Sequence, residues 1–330
     1  MQGERYRDMP DSEATAFAIV GLGRIGGGLA HQGLERGFRV VGADTSGPPD
    51  GLVALGLDFA DPLERIAAML PAPRVVLLYV PAGAAVDSVI DGLAGALEDG
   101  DVIVDGGNSY WGDSLRRQRR LSAEGLGFVD LGTSGGVPGA RHGACFMAGG
   151  EREDVAKVEP VLRALSVAGG YVHAGGPGAG HFVKLVHNGI EFGMLQAIAE
   201  GVGLLEAYGE RLPVADVLGC WRNGSVIRSW LVELMEEAYR GEGGLGAVPP
   251  HVEDTGEVNW LVGDALEMEV AIPVIAQSVM ALLASRGRAD DAGRAVAMMR
   301  NRFGGHPFGP DRAVAEGRGK ARRGGFPRRR

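Results

Sequence analysis

Lys184, His187, Asn188 and Glu191 stand at i, i+3, i+4 and i+7, a spacing that puts all four on one stripe of a helix. A base, an imidazole, an amide and an acid do not make a core. A solvated face with an ion pair is the plain alternative. The apolar neighbours Phe182, Val183, Leu185, Val186, Ile190 and Phe192 instead predict a mostly buried helix. Polar groups on such a helix need partners. A lysine held near cationic or apolar groups can lose pKa and become a proton-transfer group.

A second constellation lies near the start. Gly21-Leu22-Gly23-Arg24-Ile25-Gly26 is a G-x-G-x-x-G that follows a short apolar run and opens a helical pattern ending near Arg36-Gly37. In that setting Gly21 permits a tight turn, Gly23 lets the backbone approach a pyrophosphate, and Gly26 allows close helix packing, with the helix N-terminus facing the anion. Asp44 ends the next apolar run, where a carboxylate accepts hydrogen bonds from adenosine ribose hydroxyls. The following Thr45-Ser46-Gly47 brings no arginine for a 2′-phosphate, so NAD is expected rather than NADP. A glycine-rich turn and a turn aspartate are the alternatives.

These groups need a scaffold. From Phe17 the sequence alternates short apolar runs with helical patterns, as βα units do when they build a mostly parallel sheet. Strands are predicted near Phe17 to Val20, Phe38 to Ala43, Arg74 to Val80, Asp101 to Val104, Phe128 to Leu131 and Cys145 to Ala148. After Gly175-Gly176-Pro177-Gly178 helical periodicity takes over, with helices at His181 to Tyr208, Val226 to Tyr239, Glu257 to Met268, Pro273 to Arg286 and Asp290 to Arg300. The expected architecture is an α/β Rossmann-type doubly wound domain over 16–178, then an all-α domain over 179–309. The Gly/Arg-rich 310–330 reads as a disordered basic tail, with a weak electrostatic anchor for acidic partners as the alternative.

Composition excludes other classes. With 330 residues, 45% of them hydrophobic, the chain can bury a sizeable core, and a net charge of −9 argues against a nucleic-acid surface. The first fifteen residues contain no apolar signal region, and nowhere do enough apolar residues run together to span a membrane. Cys145 and Cys220 are far apart and lack metal-ligand spacing, so no disulfide, no metal and a reducing cytoplasm are expected.

The helix residues also carry a resemblance. Gly180-His181-Phe182-Val183-Lys184-Leu185-Val186-His187-Asn188-Gly189-Ile190-Glu191 resembles the signature helix of the 6-phosphogluconate dehydrogenase family. Asp105-Gly106-Gly107-Asn108-Ser109 and Gly132-Thr133-Ser134-Gly135-Gly136-Val137-Pro138-Gly139-Ala140 agree with it, and Val80-Pro81-Ala82-Gly83 resembles the family's nicotinamide-side loop. The glycine fingerprint and helix lysine belong to the wider β-hydroxyacid dehydrogenase superfamily. The His-Asn-Gly-Ile-Glu and Asp-Gly-Gly-Asn-Ser segments are narrower and point to the decarboxylating branch, in its short bacterial NAD-dependent form.

The resemblance implies roles. Lys184 would take the proton of the substrate C3 hydroxyl as hydride leaves C3 for the nicotinamide. It would then stabilise the enediol formed on loss of CO2, and Glu191 would protonate the enediol carbon to give a ketopentose phosphate. Asn108, Ser134, Gly135, Gly136, His187 and Asn188 would hold the sugar acid. Val80, Pro81 and Ala82 would join Gly21 to Gly26 and Asp44 around NAD. Arg300 and His306 would reach the substrate of a neighbouring subunit, which implies a homodimer. Each has a plainer alternative: turn residues for Asn108 and Ser134, a satisfied buried histidine for His187, and a helix end with its glycine cap for the Arg300 segment.

Two positions depart from the family. Glu191 is followed by Phe192 where a tyrosine is usual, and Leu282 stands where a phosphate-binding arginine is expected. Arg228, Arg286, Arg300 and His306 are possible replacements. Asp254-Thr255-Gly256-Glu257 resembles the short form. The leading reading is oxidative decarboxylation of 6-phosphogluconate or a close analogue to ribulose 5-phosphate, in gluconate and pentose phosphate metabolism. The alternatives are a dehydrogenase for a variant sugar acid, a non-decarboxylating 3-hydroxyacid dehydrogenase and a catalytically silent NAD-binding protein.

Overall fold

The computed structural model describes residues 16–287, 290–304 and 308–310. These divide at Val186/His187 into two compact units. The first is an α/β layer structure built on an eight-stranded sheet. Its elements run β1 (Ala16–Val20), α1 (Arg24–Glu35), β2 (Arg39–Ala43), α2 (Asp50–Ala54), β3 (Asp58–Phe59), α3 (Arg65–Met69), β4 (Val75–Leu78), α4 (Ala84–Ala94), β5 (Val102–Asp105), α5 (Trp111–Ala123), β6 (Gly127–Ser134), α6 (Gly136–His142), β7 (Ala144–Gly150), α7 (Arg152–Leu165) and β8 (Ser166–Gly175).

The strand order is β3-β2-β1-β4-β5-β6-β7-β8, parallel throughout except for the antiparallel pairing of β6 with β7. Strands buried on both faces read as continuous apolar runs. Alternate residues serve opposite layers: Phe17 and Ile19 of β1 pack with Leu29 of α1 and Val158 of α7, whereas Ala18 and Val20 pack with Ile66 of α3 and Ile90 of α4. Each fully buried Leu, Ile or Phe contributes roughly 1.5–3 kcal/mol. This doubly covered sheet therefore gives a rigid platform for the loops at its edge.

The sequence reading missed β3 and β8. The first is only two residues long, and the second is interrupted by Gly169 and Gly170 and pairs with β7 through register shifts. A bulged edge strand loses the regular alternation that marks a strand in sequence.

Helix α8 (Ala179–Ala207) is continuous through the boundary between the units. The second unit continues with α9 (Val214–Trp221), α10 (Trp230–Glu242), α11 (Glu257–Glu267), α12 (Pro273–Ser285) and α13 (Asp290–Gly304). Helix α9 was not anticipated, being short and starting beside Pro213. Helix α10 starts four residues later than expected, because the Ser229 Oγ caps it by accepting the N–H of Val232 at 3.2 Å. Val226 and Ile227 precede that cap and are exposed. Val202, Val214, Leu218 and Val232 form the apolar centre joining α8, α9 and α10.

The expectation of a mostly buried α8 holds for one side of the helix. Leu185 and Asn188 are buried, while Val183, Ile190, Met194, Leu195 and Leu204 are exposed. A helix apolar all round covers only the faces that other elements reach.

Candidate active site

Loops 21–23, 79–83, 106–110 and 135 follow β1, β4, β5 and β6, four neighbouring parallel strands, and so share the carboxyl edge of the sheet. In doubly wound sheets ligands bind outside that edge, at the point where the strand order reverses, here between β1 and β4.

Gly21 adopts φ +92° and donates its N–H to Ala43 O at 2.9 Å, turning the chain from β1 toward α1. A Cβ on Gly26 would stand 1.9 Å from Gly21 O, so the helix packs on the loop only without a side chain there. At Gly23 an added Cβ would meet nothing within 4 Å. Helix α1 begins there with no side-chain cap and no acidic residue in its first turn. Open space beside a helix N-terminus without a side-chain cap suits a pyrophosphate, so these residues fit a dinucleotide.

Asp44 does more than its place at the end of β2 implied. Its Oδ2 accepts the N–H of Leu22 at 2.7 Å and its Oδ1 accepts that of Ser46 at 2.8 Å. Burial pushes this carboxyl up, but the N–H groups of Ser46 and Leu22 and the Ser46 hydroxyl outweigh it. The group therefore sits below the usual carboxylate range. With three donors on its four or so lone-pair sites, the carboxylate keeps one for a ribose hydroxyl.

The next two loops share one buried cation. Arg117 of α5 is 2% exposed. It donates from Nη1 to Asp105 Oδ2 at 3.2 Å, from Nε to Asp87 Oδ1 at 2.8 Å and from Nη2 to Gly83 O at 3.0 Å. Asp105 also accepts the Ser109 hydroxyl at 2.8 Å and the Gly107 N–H at 3.1 Å, which shapes the loop carrying Asn108. Removing one partner of a buried pair leaves an uncompensated charge, at about 3–5 kcal/mol. Tyr79, whose hydroxyl burial pushes far above its usual range, shares a hydrogen bond with Thr133 Oγ1 at 3.0 Å, linking the ends of β4 and β6.

The first turns of α8 rest on β6 and β7. The buried carboxylate of Asp130 accepts the N–H groups of Gly178 and His181, each at 2.7 Å, anchoring the helix start where negative charge is favoured. A Cβ on Gly180 would fall 2.3 Å from Asp130 O, and one on Gly149 would fall 2.3 Å from Gly180 N. A Cβ on Gly132 would fall 2.6 Å from Lys184 Cβ. Three glycines thus let the half-buried Lys184 stand directly on the end of β6. Beside it, His181 Nδ1 and Ser114 Oγ share a 2.7 Å hydrogen bond, and Trp111 meets Phe182 edge-on at 6.0 Å.

Ser134 is the last residue of β6, opposite Cys145 in β7, and Gly135, at φ +114°, turns the chain into α6 at Gly136. Val80 is half-buried, and Pro81 and Ala82 are exposed ahead of α4.

In the second unit, His187 Nδ1 lies 3.4 Å from Asn188 Oδ1 and 3.8 Å from Glu191 Oε2, so these three predicted residues adjoin one another along α8. Gly189 packs on α11 and α12: an added Cβ would lie 2.4 Å from Leu261 and 3.2 Å from Ile275. Arg300 is exposed on α13. His306 and, apart from Pro310, the basic tail lie outside the described residues. Arg286 donates from Nη2 to Asp254 Oδ1 at 2.7 Å and from Nε to Val252 O at 2.6 Å. Phe192 and Leu282 are half-buried.

Sequence reasoning missed Arg117, Asp130 and Gly149, and quoted Asp105, Gly132 and Gly180 within motifs without giving them a role. One signal was available: Ser114, Arg117 and Leu121 form the buried stripe of α5, and an arginine inside such a stripe demands buried acceptors. The two aspartates end or interrupt apolar strands and resemble ordinary turn residues.

Comparison with known proteins agrees with this layout. Residues 16–175 match the family model of the NAD binding domain of 6-phosphogluconate dehydrogenase, and residues 180–306 match that of its C-terminal domain. A Bacillus subtilis protein provisionally named a 6-phosphogluconate dehydrogenase is 41% identical, over 88% of this chain and 98% of that one. The NAD(+)-dependent, decarboxylating 6-phosphogluconate dehydrogenase of Haloferax volcanii is 40% identical, over 88% of this chain and 97% of that one. Among solved structures, 6-phosphogluconate dehydrogenase of Plasmodium falciparum superposes with a TM-score of 0.74 at 24% identity, covering 90% of this chain and 66% of that one. It shows the fold alone. No helix among the described residues is long and apolar enough to cross a membrane.

Proposed function

We propose that this chain, which belongs to the 6-phosphogluconate dehydrogenase family of oxidoreductases, carries out NAD-dependent oxidative decarboxylation of 6-phosphogluconate or a close sugar-acid analogue. The observation that carries this reading is the seat of Lys184, its stem against Gly132 at the carboxyl end of β6, in the same unit as the glycine loop. Bound NAD supplies the hydride acceptor. Gly21 to Gly26 would hold its pyrophosphate, Asp44 its adenosine ribose, and Val80, Pro81 and Ala82 its nicotinamide side.

Lys184 Nζ takes the proton of the C3 hydroxyl as that carbon is oxidised. The C1–C2 bond then breaks, CO2 leaves, and the electron pair moves toward the C3 carbonyl, whose oxygen receives the Lys184 proton. Glu191 protonates C2 of the resulting enediol while the C3 hydroxyl returns its proton to Lys184, giving the ketopentose phosphate. Asn108, Ser134, Gly135, Gly136, His187 and Asn188 hold the carboxylate and hydroxyls. Arg300 and His306 complete the site of the partner in a homodimer. The exposed Leu204, Leu266 and Val274 supply apolar surface for such an interface.

A second reading, an unphosphorylated or otherwise altered sugar acid, is favoured by the engagement of Arg286 with Asp254 and Val252 O together with Phe192 and Leu282. A dianionic phosphate wants free arginine forks. The deciding experiment follows NADH absorbance with NAD or NADP and either 6-phosphogluconate or gluconate, with CO2 trapped in parallel. Stoichiometric CO2 from the phosphorylated acid with NAD supports the first reading. Turnover of gluconate alone supports the second, and NADH formation without CO2 overturns both.

A further inference from the structure

We infer that Arg117 is a positioning residue that registers the loop after β4 against the loop after β5, so that cofactor and sugar acid are held in fixed relation; this rests on the function proposed above. The observations lie within the first unit. Arg117 spends all three faces of its guanidinium: Nη2 on Gly83 O in the loop after β4, Nε on Asp87 in the first turn of α4, and Nη1 on Asp105 at the end of β5. Asp105 passes that constraint to both sides of Asn108, through the Gly107 N–H and the Ser109 hydroxyl.

The same face of α5 also reaches the lysine helix. Trp111 and Ser114 lie six and three residues before Arg117 and contact Phe182 and His181. One helix face thus meets the supports of the 80–83 loop, of Asn108 and of Lys184. A planar fork that satisfies three acceptors in different directions fixes geometry that a single ammonium cannot.

A buried arginine could instead only fill space. In that case its replacement would lower thermal stability and leave ligand affinity and turnover intact wherever the chain is folded. A registering residue moves both loops when either tie is cut. Asp87→Asn is the milder cut, because Asp87 is partly exposed and Arg117 keeps Asp105.

The experiment compares full-length wild type, Arg117→Lys and Asp87→Asn, each checked for folding by circular dichroism. Hydrogen exchange is followed in the segments 80–88 and 105–112, NADH affinity by fluorescence, and kcat and KM with 6-phosphogluconate and with gluconate. Exchange should rise in both segments for both variants. NADH binding should weaken about 10-fold and kcat should fall roughly 10- to 100-fold, as small displacements of reacting groups do. Wild-type exchange at 105–112 in Asp87→Asn, or unchanged NADH affinity and kcat beside a lowered Tm, overturns the inference. If Arg117→Lys does not fold, Asp87→Asn decides alone. Exchange and NADH binding require no sugar acid, so failure of the proposed reaction would show separately, as absence of turnover in the wild type.

Discussion

The Asp44 carboxylate and the Leu22 N–H are joined by a 2.7 Å hydrogen bond, so the residue that follows β2 also closes the glycine loop after β1. Loss of that bond and of the Ser46 bond removes about 1 kcal/mol each and frees the loop. Asp44→Ala should weaken NADH binding about 10-fold or more and narrow the preference over NADPH, as read by fluorescence titration. Equal NADH affinity in variant and wild type would remove Asp44 from the cofactor site.

The same group gives a pH effect. Its folded-state pKa lies below the ordinary 3.8, so it stabilises the fold above that value and loses the contribution as pH falls through the lower folded-state pKa. The Tm difference between wild type and Asp44→Asn should therefore be greatest near neutral pH and shrink in acid. A gap that stays constant into the acid limb would contradict it.

Lys184→Met should lower kcat by about 10²- to 10⁴-fold, the usual worth of a positioned proton-transfer group, while NADH binding persists. Stopped-flow single turnovers separate the chemical step from product release. A variant that still oxidises the sugar acid at the wild-type rate would assign the proton to another group.

Gly132→Ala places a methyl 2.6 Å from Lys184 Cβ and 3.0 Å from Gly180 O. Backbone on one side and the lysine stem on the other leave it little room. We expect a stability loss of about 1–3 kcal/mol and, at temperatures where the variant is folded, a larger fall in kcat than in NADH affinity. Denaturant unfolding and steady-state kinetics check the two parts, and wild-type kcat would show that Lys184 does not depend on this seat.

Asp130→Asn keeps the shape but turns a buried acceptor-only group into one that also donates toward two N–H groups. The expected cost is roughly 1–3 kcal/mol, with faster hydrogen exchange at Gly178 to His181. Unchanged exchange there would mean that α8 is anchored by other contacts.

The candidate site's polar residues could be picked out in the sequence because they follow fixed spacing: one stripe on α8, one glycine fingerprint, one acid after a strand. The supports were not legible. Arg117 reaches Asp87 and Asp105 across 30 and 12 residues, and Asp130 reaches His181 across 51, distances at which a single sequence carries no periodic signal. In the fold, the long helices and central strands declared themselves by apolar period. Helix α9 was too short to do so, β3 was shorter still, and the edge strand β8 was bent by its register shifts.

The contact among Gly132, Gly149 and Gly180 also bears on how this scaffold can change over generations. Each position rejects even a single methyl, with backbone or the stem of Lys184 in the way. Drift beneath the lysine is therefore costly, since even alanine must displace main chain or the lysine stem. New specificities in this architecture are expected instead at half-buried side chains such as Phe192 and Leu282, while the ground under the lysine stays as it is.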